Sequence, residues 1–155
     1  MSSIQAKPKS IFSWSFDLFV DHELLTTMDM RWFKEGGLFH WNDCEYRLGR
    51  ENLWSGDFFL NKDERQIAKA TKTSPFARKF ILKLTAGELV LSAVHPLTRV
   101  FHLTDGNNVI GIIKPDHILT RQCTIQLPDT LCVPEQVFIF WLVVLMWRRS
   151  TNSNN

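Results

Sequence analysis

At 155 residues the chain has the size of one domain, long enough to bury a single substantial core. Its formal net charge of +2 lacks the strong excess of lysine and arginine that marks nucleic-acid-binding domains, so we expect no nucleic-acid partner. Twelve Phe and six Trp are many for this length, and they require either a thick interior or a face that binds something apolar.

Three cysteines and the first residues of the chain indicate the compartment. The cysteines are odd in number and form no closely spaced pairs, unlike a disulfide framework or a set of zinc ligands. The start of the sequence lacks the charged, apolar and cleavage regions of a secretory signal. We therefore expect a reducing, cytoplasmic setting, no bound metal, and buried, unreactive thiols at Cys123 and Cys132.

Alternation of apolar and polar residues dominates the chain after a polar, aperiodic start. We interpret residues 1–10 as a loose N-terminus and residues 11–149 as a single domain. The alternation has the period of a half-buried strand. Its apolar positions are Phe12, Trp14, Phe16 and Leu18; Tyr46 and Leu48; Phe80, Leu82 and Leu84; Phe101 and Leu103; and Cys123, Ile125 and Leu127.

Short turn signals separate these strands. They are Glu35-Gly36-Gly37, Trp41-Asn42-Asp43, Asn61-Lys62-Asp63, Ala86-Gly87, Asp105-Gly106-Asn107 and Lys114-Pro115-Asp116. Gly supplies positive φ, and Asn or Asp tolerates it, as tight reversals between antiparallel strands require. The spacing predicts about ten to twelve strands in a meander, with no linker and no repeat. A weakly helical pattern before Pro75 leaves open one turn of helix at residues 75–79.

The segment PEQVFIFWLVVLMWRR, residues 134–149, predicts a helix. Pro134 suits the first helical position and Glu135 the positive end of the helix dipole. The helix has no polar face, so it must be enclosed by protein or by lipid. Its apolar run is shorter than the ~20 residues that span a bilayer, whereas a barrel of this size is too wide for its own side chains to fill.

We therefore predict a mainly β fold, a closed antiparallel β-barrel around a buried hydrophobic C-terminal α-helix. A disordered tail is expected at residues 150–155. The alternative is a tail-anchored membrane protein in which residues 137–147 form a short anchor.

Three segments carry a resemblance to a known superfamily. They are the hairpin RVFHLTDGNNVIGII (99–113), the strand RQCTIQLP (121–128) and the helix PEQVFIFWLVVLMWRR (134–149). Together with the meander before them, they resemble the tubby-like superfamily, and within it the LURP-one-related proteins and phospholipid scramblases. The resemblance implies a twelve-stranded barrel around a central hydrophobic helix and binding of phosphoinositides through basic residues. The cysteine-rich lipidated stretch and the acidic calcium-binding segment of scramblases have no counterpart in this sequence, so scrambling is not implied.

The stretch HWNDC, residues 40–44, raises an enzymatic alternative that uses His40 and Cys44. Alternate residues of a hairpin face opposite sides, however, and Asn42-Asp43 is most simply the turn itself. Asp105-Gly106-Asn107 is also interpreted as a turn, because the later acidic ligands of a calcium loop are missing. With no nucleophile, metal or phosphate-loop motif in the sequence, we expect a non-enzymatic protein without a cofactor.

Two groups of residues are candidates for a binding surface. One is a basic cluster: Lys69, Lys72, Arg78 and Lys79. The other is an aromatic set near the Gly-Gly turn: Trp32, Phe33, Phe39 and Trp41. The cluster attracts anionic headgroups or, alternatively, guards a solvated strand edge; the aromatics line a barrel mouth or pack in the core. We expect a cytoplasmic binding protein, peripheral to a membrane where its ligand is a lipid, that recognises an anionic phospholipid or a protein partner on the barrel surface.

Overall fold

A computed structural model describes residues 3–31 and 35–153 of the chain. The described residues form twelve antiparallel strands, closed into a barrel, and one helix. The elements are β1 (Ser3–Pro8), β2 (Phe16–Val20), β3 (Glu23–Met30), β4 (Gly37–Trp41), β5 (Cys44–Arg50), β6 (Asp57–Lys62), β7 (Arg65–Lys72), β8 (Lys79–Leu84), β9 (Gly87–Ala93), β10 (Phe101–Asp105), β11 (Asn108–Pro115), β12 (Cys123–Gln126) and α1 (Val133–Ser153). Each strand pairs with its neighbours in sequence, and β1 closes the barrel by pairing with both β2 and β12. The predicted fold class is confirmed.

Helix α1 fills the barrel and forms its core. Residues 137–147 are each at most 3% exposed. Barrel aromatics meet helix aromatics directly: the Phe16 and Phe140 ring centroids lie 5.1 Å apart, and those of Phe58 and Trp141 lie 5.8 Å apart, both edge to face. Protein therefore encloses the helix on every side, and in this fold residues 137–147 are not placed as a membrane anchor.

No helix in residues 3–31 and 35–153 combines the length and apolarity needed to cross a bilayer.

Three boundaries differ from the sequence-based prediction. Residues 3–8, expected to be a loose terminus, form β1, in which only Ile4 and Ala6 are buried, too few for an alternation to be visible. The helix continues to Ser153, four residues beyond the predicted end at Arg149. Residues 65–72 form β7, and the chain then passes through a loop, so the helical turn considered at residues 75–79 is absent from this described segment.

The meander gives the barrel two unlike rims. At the tight-turn rim, two-residue connections join β2 to β3, β4 to β5, β6 to β7, β8 to β9 and β10 to β11. Both central residues have positive φ at Asp21-His22, Asn42-Asp43 and Asp63-Glu64, as a type I′ hairpin turn requires. At the opposite long-loop rim, the connections span residues 9–15, 31–36, 51–56, 73–78, 94–100 and 116–122.

Helix α1 runs between these two rims. Near its start, the buried Glu135 carboxylate accepts a hydrogen bond from the Thr85 backbone N–H at 2.8 Å, at the tight-turn rim. Near its end, Trp147 Nε1 donates to the Arg99 carbonyl at 3.0 Å, at the long-loop rim. The last helical turn therefore emerges in the middle of the long loops.

The six strand pairs follow one repeating pattern, contrary to the expectation of no repeat. Equivalent inward positions recur every 21 or 22 residues at Phe16, Gly37, Phe58, Phe80, Phe101 and Cys123. An equivalent backbone hydrogen bond of 2.9 to 3.1 Å closes each long loop: Lys9 N to Ser15 O, Arg31 N to Gly36 O, Glu51 N to Asp57 O, Thr73 N to Lys79 O, Val94 N to Val100 O, and Asp116 N to Gln122 O. Gly37 departs from phenylalanine because a Cβ there would lie 3.2 Å from Trp141 Nε1, so the indole occupies the space.

Candidate functional site

Large apolar side chains project into solvent from the long-loop rim. Eight of them, among the described residues, are more than 80% exposed: Ile11, Phe12, Leu53, Trp54, Phe76, Leu97, Ile118 and Leu119. They occupy five of the six long loops. The next most exposed are Leu24 at 59% and Val109 at 56%, both beside the tight-turn rim. Single exposed apolar residues are ordinary, but a concentration of this kind on one end of a molecule indicates a binding surface.

In the loops 94–100 and 116–122, hydrogen bonds within the loop satisfy part of the backbone, and the apolar tips stay outside the barrel. In the loop 94–100 the Thr98 N–H donates to the His95 carbonyl at 3.2 Å, and the Thr98 hydroxyl accepts from Val100 N–H at 3.0 Å. The same two bonds recur around Thr120 in the loop 116–122. Such side-chain to backbone turns define a loop shape without help from the core.

Three arginines at equivalent repeat positions tie neighbouring loops together. Arg78, Arg99 and Arg121 each donate to carbonyl oxygens of the next loop around the barrel. The recorded acceptors are Pro96 and Thr98 for Arg78; His117, Ile118 and Thr120 for Arg99; and Ser10, Ile11 and Ser13 for Arg121. Because the barrel is closed, the loop that follows 116–122 is 9–15, and Arg121 joins the two ends of the strand sequence.

The predicted basic cluster divides between the rim and the barrel wall. Lys72 and Arg78 lie at the long-loop rim, and Lys79 is exposed beside it as the first residue of β8. Burial, together with the positive charges of neighbouring arginines, lowers the pKa of Lys72. Lys69 lies farther down the outer wall, where its Nζ ion-pairs with Glu51 at 3.5 Å and Asp57 at 3.8 Å.

Charge is distributed unevenly along the barrel axis. The turns of the tight-turn rim carry six acids at or beside their central positions, Asp21, Glu23, Asp43, Asp63, Glu64 and Asp105, against the two bases Lys62 and Arg65. The long-loop rim and the emerging end of α1 carry arginines: Arg31, Arg50, Arg78, Arg99, Arg121, Arg148 and Arg149. The small net charge therefore conceals a molecule with one basic end and one acidic end.

Glu35 neutralises part of the basic end. Its carboxylate accepts from Arg149 Nε at 2.6 Å and from Arg50 Nη1 at 3.0 Å. Burial alone would raise the pKa of Glu35, but hydrogen bonding and charge from Arg149 and Arg50 outweigh it, and the net effect lowers that pKa.

The structure does not bring together His40 and Cys44, the two residues of the enzymatic alternative. His40 lies on the outer face of its hairpin, with Nε2 3.6 Å from the Glu45 carboxylate. Cys44 lies on the inner side, opposite Trp41, and packs against the core. The two side chains thus face opposite surfaces of the sheet, and the turn predicted at Asn42-Asp43 is confirmed.

The cysteine prediction is half correct. Cys123 is fully buried, and burial raises the pKa of its thiol well above the usual value. Cys132 is exposed, contrary to the prediction, because it lies in the connection that leads from β12 into α1 rather than inside the barrel. Within the described residues, no group of three or more His, Cys, Asp or Glu is arranged to hold a metal ion.

The aromatic set near the Gly-Gly turn contributes to the core where it is described. Phe39 is 1% exposed and stacks on Tyr46, with ring centroids 5.0 Å apart. Trp41 is partly buried against the same core. Trp32 and Phe33 lie outside the described residues.

Sequence reasoning missed the exposed loop tips and the arginines at 99 and 121. Phe12 and Trp14 continue the alternation of β2, so the loop was interpreted as strand. The signal that reveals the tips is a short motif that recurs at one or two repeat lengths: Ile11-Phe12-Ser13, Leu53-Trp54-Ser55, Pro96-Leu97-Thr98 and Ile118-Leu119-Thr120.

Neither a scan against models of protein families nor a search of curated proteins gives a match to this chain.

Proposed function

We propose that the protein is a non-enzymatic peripheral membrane-binding protein that docks on anionic phospholipid through its long-loop rim. The observation that carries the proposal is the set of apolar tips: every described large apolar side chain above 80% exposure lies on this one rim. Trp, Phe, Leu and Ile are the side chains with which interfacial segments enter the headgroup region.

The energy available from the tips is sufficient for reversible docking. Full transfer of one large apolar side chain from water contributes about 1.5–3 kcal/mol. Tips such as Trp54 at 95% and Leu97 at 93% exposure have nearly all of that contribution still available. Partial burial of several tips therefore yields useful affinity, and no helix has to leave the barrel.

The charges behind the tips favour an anionic surface. A Lys or Arg held near an anionic leaflet contributes about 1 kcal/mol, and of the predicted headgroup cluster Lys72, Arg78 and Lys79 lie at or beside this rim. Lys69, already paired with two carboxylates, has less to contribute. The acidic tight-turn rim disfavours the reverse orientation, since it would bring Asp and Glu toward lipid phosphates.

The arrangement of the tips favours a membrane over a protein partner. They stand on separate loops spaced around the barrel axis and project from the same rim, which suits a flat surface that accepts a side chain at any lateral position. We also propose that the barrel is of tubby-like type, supported by the twelve strands and central helix that the resemblance implies.

Vesicle flotation of the full chain tests the proposal. The protein is mixed with neutral phosphatidylcholine vesicles, or with vesicles that also contain phosphatidylserine or a phosphoinositide, at low and high salt. We expect binding to the anionic vesicles that weakens with salt, because screening shortens the reach of the rim charges. The double variant Trp54→Ser with Leu97→Ser should lose most of this binding.

The matched control removes exposed apolar residues from the other rim. Leu24→Ser with Val109→Ser should leave flotation unchanged. Equal loss of binding in both double variants would contradict docking through the long-loop rim. A folded protein that floats with no vesicle would refute the proposal and identify the rim as a surface for a protein partner.

A further inference from the structure

A small cavity lies in the middle of the long-loop rim, beside the last turns of α1. Its volume is about 110 Å³. A water molecule occupies ~30 Å³ in the liquid, so the cavity has room for a group of the size of a phosphate. The residues that line it are Trp14, Arg78, Leu97, Thr98, Arg99, Arg121, Trp147, Ser150 and Thr151.

The three arginines of this cavity are held in place from two sides. Carbonyl oxygens of the adjoining loops accept their Nη hydrogens, as described above. Aromatic faces support the guanidinium groups: Arg121 lies over Trp14 at 4.7 Å, Arg78 over Phe101 at 5.2 Å and Arg99 over Trp147 at 6.0 Å, measured to the ring centroids. The positive charges are therefore fixed in advance, and an anion that binds between them has little arginine side-chain entropy to remove.

The three arginines hold the loops together through neutral carbonyl oxygens. These bonds do not neutralise the positive charges of the guanidinium groups. Among residues 3–31 and 35–153, none of the three forms an ion pair, whereas Arg50 and Arg149 on the same rim share Glu35. Burial lowers the pKa of Arg78 and of Arg121, which reflects the loss of water around their charges. Charges that lose part of their water are normally paired with an opposite charge, and here the described residues supply no acidic partner.

The end of α1 supplies little of the missing negative charge. Carbonyl groups at a helix C-terminus carry a partial negative charge. Two of them are already hydrogen-bonded by hydroxyls of the last turn, Trp147 O by Thr151 Oγ1 at 3.1 Å and Arg149 O by Ser153 Oγ at 2.9 Å. The cavity therefore combines three partly buried arginines with an open space between them.

We propose that this cavity binds a phosphate monoester, with Arg78, Arg99 and Arg121 around the phosphate group. Guanidinium groups are the side chains best suited to phosphate oxygens, because their planar N–H forks match the oxygen geometry. The assignment to the headgroup of a membrane lipid rests on the function proposed above; the phosphate chemistry of the site does not. The apolar tips around the cavity place it where a headgroup phosphate would approach.

The test uses a soluble monoester and a charge inserted at the cavity without removal of any arginine. Glycerol 3-phosphate is titrated into the full chain, with calorimetry for affinity and the arginine Nε–H resonances as the local probe. We expect saturable binding that shifts the resonances of Arg99 and Arg121. Ser150→Asp adds a carboxylate to the cavity lining and should weaken binding at least tenfold. Asn152→Asp adds the same charge to the same exposed turn, outside the lining residues, and should change affinity much less.

Vesicles distinguish this inference from the function on which its membrane role rests. Phosphatidic acid presents a phosphate monoester and phosphatidylglycerol a diester, so the wild-type protein should prefer the former, and Ser150→Asp should remove the preference. If the protein floats equally with both lipids and does not bind glycerol 3-phosphate, the phosphate site is overturned. Docking through the apolar tips would still be supported by that result. Saturable binding of glycerol 3-phosphate by a protein that floats with no vesicle would support the phosphate site and refute membrane docking. Equal affinities in Ser150→Asp and Asn152→Asp would overturn the site even if phosphate binds elsewhere.

Discussion

Trp141 and Trp54 are the same side chain in opposite environments. Trp141 is fully buried at the centre of the barrel, whereas Trp54 is 95% exposed at a loop tip. Trp141→Ala should lower the free energy of unfolding by about 3–5 kcal/mol, the usual cost of a large buried aromatic, because the barrel cannot collapse into the space. Trp54→Ala should leave it within about 0.5 kcal/mol of the wild type. Urea denaturation followed by circular dichroism measures both, and similar losses in the two variants would contradict the buried position of the helix.

Glu35 gives the long-loop rim an acid-sensitive link to the end of α1. The pKa of Glu35 is lower in the folded protein than its ordinary value of 4.5. The stabilisation from its ion pairs is therefore fully present above pH 4.5 and is lost as the pH falls through the lower pKa of the folded state. Glu35→Gln should therefore lower the unfolding free energy at neutral pH by about 1 kcal/mol, the scale of a well-formed pair near a surface. The difference from wild type should vanish in acid.

Denaturation curves across the acidic range provide the measurement for Glu35. Glu88→Gln removes an exposed carboxylate at the tight-turn rim and is the matched control, for which we expect little effect on the unfolding free energy at neutral pH. A Glu35→Gln deficit that persists unchanged well below pH 4.5 would assign the effect to packing rather than to charge.

For single residues, the sequence predicted local conformation and burial better than the position of long side chains in the folded barrel. The Asn42-Asp43 turn and the buried thiol of Cys123 could be predicted because they depend on local conformation and on neighbouring apolar residues. The guanidinium positions of Arg99 and Arg121 could not, since they depend on which loop comes next around a closed barrel. The exposure of Cys132 likewise depends on where the chain leaves β12.

Strand β1 is the element that closes the barrel, although its sequence has little strand character. It pairs with β12 through Ser3–Ala6 and with β2 through Gln5–Pro8. Removal of residues 1–8 should expose the edges of both neighbours, lower the melting temperature and promote association, because unpaired edges are templates for other chains. Thermal denaturation and light scattering test this. Removal of residues 151–155 from the other terminus is the control and should leave the melting temperature and the light scattering nearly unchanged. An equally small effect on removal of residues 1–8 would mean that this segment is a loose terminus.

The other elements were predictable to different degrees. Alternation identified strands such as β8 and β10, because one face is buried by α1 and the other is in water. The helix was predicted because an apolar segment without a polar face needs enclosure. The long loops were not predicted, because their apolar tips are exposed and so do not follow the packing rule from which strands are inferred.

The whole molecule is polarised along the barrel axis, with apolar and basic groups at one end and acids at the other. This predicts one orientation on a membrane. An environment-sensitive fluorophore attached at Leu97→Cys, in a background with Cys132→Ser, should shift to the blue on addition of anionic vesicles. The same label at Asp63→Cys, in the tight-turn rim, should not respond. Equal shifts at both positions would mean that the protein has no preferred orientation.

The position of α1 in the chain also affects how the protein is made. During synthesis the helix leaves the ribosome after all twelve strands, yet the buried residues of every strand belong to the same core as the helix. Many domains begin to fold from their N-terminal side while still being translated. Here the strands have no core to close around until the last segment appears, and β1 must remain available for β12 throughout. We therefore expect productive folding to occur after translation of α1, with a preceding interval in which an apolar, edge-rich nascent chain depends on chaperones.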